Sequence, residues 1–437
     1  MKFSLLVGTS QINSSKGKSF GTCSSSGLRH LAEIMSQVGL SGDLIDLPNS
    51  SRSPGMASPF SIESGFALNP DELDFALIPE LNPSNPAMLP LSRLNQTFRS
   101  AFGEQRSLSY QLKRTLLPWL LEHCYEQFLV SKDLKRKEGY AAFVEESQFW
   151  LSDFAVFKAA KNGGFGETLL RKMEVPAVAE AFLVREAKEI GLQKYIQFLC
   201  YEQRMSLLNY LKKLGIRLFI NLPFGVDYFS PDALFHPDAF DTTKQVGCSP
   251  EPENGYPEQA WGMPVYQERS EGLATYLDHR YQWLAKISDG VFVDHLVGWC
   301  GQYVLDRYQD PAEGGVSGTF LTKDPEERAE NIKWYLDLAL SKGITLLAEV
   351  AGDYERVVVT QKGVLSQIQK GASIQLMRLP RWEKEQGKLR PLSLIPKSSL
   401  VMSETHDTST FLQFLLNRKG RFDDFESDVN LLEFYQS

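Results

Sequence analysis

The sequence lacks long apolar runs, an excess of positive charge and closely spaced cysteines. No apolar run approaches the roughly 20 residues of a membrane helix, and the start, MKFSLLVGTSQ, turns polar too early for a signal peptide. Lysine and arginine number 46 against 54 acidic residues, and a net charge of -8 argues against nucleic acid or an anionic membrane as partner. Five cysteines without a CxxC pair indicate buried thiols in a reducing compartment. These absences predict a cytoplasmic globular protein.

Hydrophobic residues make up 43% of the 437, which is enough for a sizeable core. From Gly215 onward, apolar β-like runs alternate with amphipathic helices, and this alternation predicts βα units and a parallel sheet. The runs are IRLFINLP, DGVFVDH, GITLLAEV, ASIQLM and SSLVMSETHD. The stretch 100–205 has helical periodicity, so we predict one barrel domain over 1–437 that carries a helical insertion at 100–205.

Three of these runs end in an acid: Asp294, Glu349 and Asp407. In an α/β barrel the carboxyl ends of all strands open onto one face, so the three carboxylates would meet in space. A helix N-cap is the alternative explanation for any single aspartate. A metal site is the alternative use of the cluster, with His295 and His406 as further ligands, although neither HExxH nor DxDxDG spacing occurs.

Carboxylates that face one cleft, without a Cys/His ligand set or a Gly-rich phosphate loop, suit glycoside chemistry. Aromatic residues are expected in the loops near these strands, where they could stack on sugar rings. They are Trp261, Trp299, Tyr256, Tyr266 and Phe229. A plain core role is the alternative for each of them.

Six short blocks, in order along the chain, resemble motifs of the 4-α-glucanotransferases of the amylomaltase (disproportionating enzyme) family in the α-amylase clan. The blocks are SPFSIESGFALNP (58–70), LPFGVDYFSPDALFHPDAF (222–240), EQAWGMPVY (258–266), FVDHLVG (292–298), LLAEVAG (346–352) and ETHDTST (404–410). Three of them coincide with the strand ends that carry the acids.

The resemblance implies an α/β fold, a (β/α)8 TIM barrel, and a retaining double displacement on α-1,4-glucans or maltooligosaccharides. It implies Asp294 as nucleophile, Glu349 as general acid/base and Asp407 as the group that stabilises the distorted sugar. Further substrate-binding residues are expected at His295, His406, Trp261, Phe60, Asp232 and Tyr266. No cofactor or metal is expected, and the sequence gives no basis for an oligomeric state.

The chain departs from the family pattern next to the expected nucleophile. Phe292 stands where the family has an arginine that pairs with the carboxylates, and Val297 replaces a second arginine. Only 30 residues follow Asp407, and no apolar run that could form the last barrel strand is evident among them. Two hypotheses remain open: an active glucanotransferase, or a catalytically impaired or inactive relative that still binds glucan. A phosphate-binding barrel would require a Gly-rich loop after a late strand, which the sequence lacks.

Overall fold

The computed structural model describes residues 3–7, 25–40, 42–52, 58–81, 106–165, 170, 176–250, 257–311, 317–349, 374–380, 384–385, 388–389, 391–395 and 399–402. The chain divides into two compact units. Unit 1 consists of residues 1–220, 225–237 and 286–288, and unit 2 consists of residues 221–224, 238–285 and 289–437.

Nine α-helices and thirteen strands lie in the described residues. The helices are α1 (Ser25–Gln37), α2 (Arg106–Val130), α3 (Leu134–Glu146), α4 (Gln148–Asn162), α5 (Pro176–Arg185), α6 (Ala187–Lys213), α7 (Pro231–Phe235), α8 (Glu271–Ile287) and α9 (Pro325–Ser341). The strands are β1 (Phe3–Val7), β2 (Gly42–Asp46), β3 (Arg217–Leu222), β4 (Phe240–Cys248), β5 (Gln259–Tyr266), β6 (Gly290–Val293), β7 (Tyr303–Asp306), β8 (Thr319–Phe320), β9 (Leu346–Glu349), β10 (Ile374–Arg378), β11 (Lys384–Glu385), β12 (Lys388–Leu389) and β13 (Leu400–Val401).

In unit 1, strands β1, β2 and β3 pair in parallel. Helix α1 buries Leu28, Ala32 and Met35, whose spacing of four and three residues places them on one helix face. This face packs in one core cluster with Leu44 of β2 and Leu218 of β3, and helix α6 contributes to the same cluster. The strands and helices of unit 1 therefore form packed β and α layers, of which only β3 belongs to the alternation predicted from Gly215 onward.

Helices α2 to α6 confirm that the stretch after residue 104 is helical. Within this stretch, the segment AAFVEESQFWLSDFAVFKAA belongs to two helices, because α3 ends at Glu146 and Ser147 separates it from α4. The basic cluster KDLKRKE opens α3, and it is not fully solvated, since the Arg136 side chain is only 9% exposed. Whether residues 100–205 form an insertion within a single domain stays a prediction.

In unit 2, strands β6, β9, β10 and β13 lie side by side in parallel. They confirm four of the predicted β-runs, and α9 precedes β9 as expected. Their register pairs Phe292 with Leu347 and Val293 with Ala348. This register sets which side chains share a face at the carboxyl ends of the strands.

Unit 2 also contains an antiparallel sheet in the order β5-β4-β7-β8, which the sequence reading missed. Trp261 and Tyr266 were expected in loops, and this expectation was wrong, because both lie in β5. The alternation of polar and apolar residues is interrupted there by Gly247, Gly262 and Pro264. These residues are typical of turns, but here they accompany register shifts between β4 and β5.

The composition led to predictions about membrane helices and about the cysteines. No helix in the described part of the chain is long and apolar enough to cross a membrane. Cys124, Cys200 and Cys300 are buried thiols, as predicted, and Cys248 is a partly exposed one.

Candidate active site

Asp294 and Glu349 stand at the carboxyl ends of the neighbouring parallel strands β6 and β9. Asp294 directly follows Val293, and Glu349 directly follows Ala348, its register partner. Adjacent strands are about 4.8 Å apart, so this register brings the two residues side by side. The Asp294 backbone N–H donates to the carbonyl oxygen of Leu222 at 3.2 Å, which fixes the turn that begins there. Glu349 is 6% exposed.

The next residue, His295, turns the chain sharply. It adopts the left-handed conformation with φ 47° and ψ 51°, which few non-glycine residues tolerate. Its backbone N–H donates to Glu349 Oε2 at 3.3 Å, so the turn itself links the two strand ends. Gly298 lies under the turn, because a Cβ there would come within 2.6 Å of His295 Cδ2 and 2.7 Å of Phe224 Cε2.

The imidazole of His295 is neutral at physiological pH. Burial lowers the pKa of His295 to about 4, because a charged ring would lose hydration that nothing nearby replaces. A neutral imidazole both donates and accepts a hydrogen bond, which matches the two roles of a sugar hydroxyl.

Phe224, Trp261 and His295 form a cluster of rings that we call the aromatic wall. The Trp261 ring centroid lies 4.9 Å from that of His295, at an interplanar angle of 77°. Phe224 lies 5.6 Å from His295 and 6.4 Å from Trp261, again edge to face. Trp261 and His295 are partly exposed, whereas Phe224 is buried, so the wall offers apolar and polar ring surface to solvent.

A second row of buried side chains supports the aromatic wall. The Tyr266 hydroxyl donates to the Phe224 carbonyl oxygen at 2.7 Å. Arg280 donates to the Tyr266 hydroxyl at 3.2 Å and to the Pro223 carbonyl oxygen at 3.3 Å. Trp299 stacks on Tyr266 at 4.8 Å between ring centroids. Tyr266 is only 1% exposed, so it holds Phe224 in place from behind.

The remaining predicted site residues fall in unit 1 or outside the described residues. Phe60 and Asp232 belong to unit 1, where Asp232 is 2% exposed and its Oδ1 accepts a hydrogen bond from the Gly65 backbone N–H at 2.9 Å. His406 and Asp407 lie outside the described residues, as does Tyr256. The structure therefore brings together Asp294, Glu349, His295 and Trp261, with Tyr266 behind them.

Sequence reasoning missed Asn221 in β3. It is 1% exposed, and neither its Oδ1 nor its Nδ2 has a hydrogen-bond partner within the described part of the chain. It comes three residues after Leu218, so alternation along the strand turns its side chain away from the helix-facing side. The available signal was a polar residue inside the otherwise apolar segment LFINLP (218–223).

A metal site is the alternative use of the strand-end acids. Over the described ranges, no group of three or more His, Cys, Asp or Glu side chains is placed to hold a metal ion. The strand-end cluster therefore stands, in this part of the chain, as a pair of carboxylates beside a neutral imidazole.

Comparisons with known proteins agree with the resemblance noted from the motifs. The model of the family described as 4-alpha-glucanotransferase matches residues 10–433. The 4-alpha-glucanotransferase of Chlamydia pneumoniae is 23% identical over 392 residues, which cover 86% of this chain and 69% of that protein.

Two solved structures share the fold. The amylomaltase from Corynebacterium glutamicum superimposes with a TM-score of 0.72 at 20% identity, over 93% of this chain and 55% of that one. The amylomaltase from Streptococcus agalactiae, solved in complex with acarbose, gives 0.73 at 17% identity, over 100% of this chain and 85% of that one. The chain thus spans little more than half the length of the corynebacterial protein. The likeness confirms the predicted α/β, barrel-type fold, while the question of a closing strand concerns residues 403–437, outside the described residues.

Proposed function

The chain belongs to the 4-alpha-glucanotransferase family, and from that premise we propose that it transfers α-1,4-glucan segments between maltooligosaccharides. The observation that carries this proposal is the placement of Asp294 and Glu349 side by side at the ends of two adjacent parallel strands. Retaining glycoside chemistry uses two carboxyl groups about 5–5.5 Å apart, and the ends of adjacent parallel strands, whose backbones are about 4.8 Å apart, allow two side chains to approach to that order of distance.

The proposed reaction is a double displacement. A carboxylate oxygen of Asp294 attacks the anomeric carbon, and the glycosidic C–O bond breaks while its oxygen takes the proton of Glu349. The acceptor glucan then gives its hydroxyl proton to Glu349 as its oxygen attacks the same carbon, and the bond to Asp294 breaks with its electron pair. Both changes of configuration cancel, so the product keeps the α linkage.

The link between His295 and Glu349 supports these roles. The His295 backbone N–H donates to Glu349 Oε2 at 3.3 Å, so the turn that follows Asp294 holds the Glu349 carboxyl group beside it. The neutral His295 ring is proposed to hydrogen-bond sugar hydroxyls, and Trp261 is proposed to stack on a sugar face. Phe60, Asp232, His406 and Asp407 remain proposed substrate contacts on the strength of the motifs alone.

Incubation with maltotriose tests the proposal. The wild-type protein should produce glucose together with longer maltooligosaccharides, and Asp294→Asn or Glu349→Gln should slow this redistribution by a factor of about a thousand or more. Asp324→Asn is the matched control, since Asp324 caps helix α9 far along the chain and an asparagine caps equally well. A folded protein that leaves maltotriose unchanged would refute the proposed activity.

A second candidate function rests on Phe292, which is 1% exposed in β6. It puts an apolar ring where the family has a charged partner for the carboxylates, and this favours an impaired relative that binds glucan without efficient turnover. Acarbose, present in the streptococcal amylomaltase structure, is the probe: the impaired protein should bind it with equal affinity before and after Asp294→Asn. Turnover abolished by that substitution would exclude this second candidate.

A further inference from the structure

We propose that Glu258 is a positioning residue for the glucan site, because its buried carboxylate fixes the start of β5 and thereby holds Trp261 against His295. The inference rests on the proposed function, in which Trp261 contacts the sugar. It adds a residue whose side chain touches none of the reacting groups and which acts through the geometry of a strand.

Trp261 lies in a bulge of the antiparallel sheet. Gln245 pairs with Pro264 and Gly247 pairs with Ala260, and between these two pairs β5 carries two more residues than β4. The extra length falls on Trp261 and its neighbours, where Gly262 has a φ of 65°. Residues in a bulge leave the regular ladder of backbone hydrogen bonds, so the direction of the Trp261 side chain depends on how both ends of the bulge are held.

The far end of the bulge is held by Tyr266. Its backbone N–H donates to Gln302 Oε1 at 2.9 Å, and its carbonyl oxygen accepts from Gln302 Nε2 at 2.8 Å. Its side chain is enclosed behind Phe224. This end is therefore fixed within the sheet and the aromatic wall.

The near end is held by Glu258, which comes just before β5 and is 6% exposed. Its carboxylate accepts hydrogen bonds from the Tyr303 hydroxyl at 2.5 Å, the Ser317 hydroxyl at 2.6 Å and the Gly318 backbone N–H at 2.8 Å. The Ser317 backbone N–H adds contacts of 3.1 Å to both carboxylate oxygens. One side chain thus ties the entry of β5 to β7 and to the segment that leads into β8.

Every partner of this carboxylate is a donor, so the cluster requires an acceptor-only group. Burial alone would raise the pKa of Glu258, but the hydrogen bonds from Ser317 and Tyr303 and from the backbone outweigh it and lower the pKa to about 2. A glutamine of the same size would turn an amide N–H₂ toward donors and break part of the cluster. Glu258→Gln therefore loosens the near end of the bulge without changing the volume of the side chain.

The orientation of Trp261 then loses one of its constraints. Its indole Nε1–H donates to Gln259 Oε1 at 2.9 Å, and Gln259 is the residue next to Glu258. The same ring makes the edge-to-face contact with His295, 4.9 Å between centroids. Only two residues separate Glu258 from Trp261, so a displacement of the backbone at residue 258 also moves the indole ring and changes its contact with His295.

A double-mutant cycle on maltotriose redistribution tests the proposal, with Glu258→Gln, Trp261→Ala and the combined variant. We expect Glu258→Gln to raise KM about tenfold while kcat stays within about threefold, because binding geometry changes and the carboxylate pair does not. The combined variant should be no worse than Trp261→Ala, since Glu258 acts through the ring that this substitution removes. Additive effects, or an unchanged KM in Glu258→Gln, would overturn the proposal.

A local readout separates this proposal from the proposed function. The indole N–H resonance of Trp261, assigned by its loss in Trp261→Phe, should shift in Glu258→Gln in the absence of glucan. If the wild-type protein does not redistribute maltotriose, the proposed function fails, and an unshifted resonance would independently refute the role of Glu258. Ser317→Ala and Tyr303→Phe each remove one donor and should give smaller shifts in the same direction, should Glu258→Gln not fold.

The matched control is Glu80→Gln in unit 1. Glu80 is also a buried, multiply hydrogen-bonded glutamate, and it pairs with Arg136 at 2.7 Å. Its loss should lower the unfolding temperature yet leave KM and the Trp261 resonance unchanged. A KM increase in this control equal to that of Glu258→Gln would show that the effect is general destabilisation and would contradict the positioning role.

Discussion

At the scale of single residues, Phe292 and His295 flank the two candidate carboxylates and set their surroundings. Phe292 lies two residues before Asp294 in the same strand, and its register partner Leu347 lies two residues before Glu349. Side chains two apart share a strand face, so Phe292 is on the face that carries both carboxylates. An apolar ring there supplies neither a charge nor a donor, so the carboxylates depend on the backbone N–H of His295 and on contacts of their own.

Phe292→Arg should raise turnover of maltotriose about tenfold or more, because a guanidinium on this face can pair with both carboxylates. The same change should lower the free energy of unfolding by roughly 1–3 kcal/mol, since the position is 1% exposed in an apolar strand. Initial rates and urea unfolding measure the two effects. Phe292→Leu removes ring volume without adding charge, and an equal gain in that variant would mean that the charge is irrelevant.

The burial of His295 should make the free energy of unfolding decrease as the pH falls below neutral. Its folded pKa of about 4 lies below the ordinary value, so between about pH 6.5 and 4 the unfolded chain binds a proton that the folded chain does not. Stability from this residue is complete above that window and decreases by roughly 2–3 kcal/mol as the pH falls through it. Urea unfolding between pH 7 and pH 4 measures the free energy of unfolding at each pH. This free energy should decrease less with falling pH in His295→Asn than in the wild type, and an equal decrease would contradict the lowered pKa of His295.

Among the secondary-structure elements, the turn after β6 and the bulge of β5 determine the geometry of the candidate site. The turn after β6 needs a left-handed residue, a following 3-10 turn over Leu296–Trp299, and a glycine at 298 that lets two rings approach. The bulge places the ring of Trp261 edge to face against the same imidazole, 4.9 Å between centroids. Both elements are short, so a small shift in either one would separate the rings of the aromatic wall.

Gly298→Ala should weaken glucan binding and the fold together. The added Cβ would meet two aromatic rings at 2.6 and 2.7 Å, so either the rings or the turn must move. We expect a loss of about 1–3 kcal/mol in unfolding free energy and a raised KM. Gly139→Ala is the control, because its nearest contact would be 3.9 Å and an alanine within a helix should add about 0.5–1 kcal/mol. Unchanged KM in Gly298→Ala would mean that the wall tolerates the shift.

At the scale of the whole molecule, charge pairs hold the helices of unit 1 to segments far away in sequence. Arg136 of α3 pairs with Glu80 at 2.7 Å and with Glu202 of α6 at 2.6 Å. The side chains of Arg136 and Glu80 are 9% and 5% exposed, so this network is largely removed from solvent. The pKa of Arg136 is raised, because the hydrogen bonds and charges of the two glutamates outweigh the effect of burial.

Arg136→Met should lower the free energy of unfolding by about 3–5 kcal/mol, because it leaves the buried Glu80 without its partner. Lys188→Met is the matched control. Lys188 also bridges two glutamates, Glu122 and Glu126, but its side chain is 59% exposed, so solvent screens these pairs and the loss of Lys188 should change the free energy of unfolding far less. Denaturant unfolding compares the two variants. Equal losses would show that burial does not decide the strength of these pairs, and the rate per folded molecule should stay at the wild-type level in both.

Local sequence patterns predicted the β/α alternation of the second half of the chain and the strand-end positions of Asp294 and Glu349. Apolar runs that end in an acid gave β6 with Asp294 and β9 with Glu349, because burial of a strand and the polarity of its carboxyl end are local properties of the chain. The helical stretch followed from its periodicity in the same way, apart from the break at Ser147. The family motifs added His295, Trp261 and Tyr266 to the candidate site. They also predicted His406 and Asp407, which lie outside the described residues.

The interactions of those residues with one another follow from the packing of remote segments. The antiparallel sheet was invisible in the sequence, because its glycines and proline are typical of loops and its pairing joins segments that are distant along the chain. The neutral state of His295 depends on burial by rings from other elements, and the environment of Glu258 depends on donors from 303 and 317–318. Such properties arise from contacts between remote segments, so no local pattern encodes them. The positions of the strand ends, in contrast, follow from local patterns of apolar and polar residues.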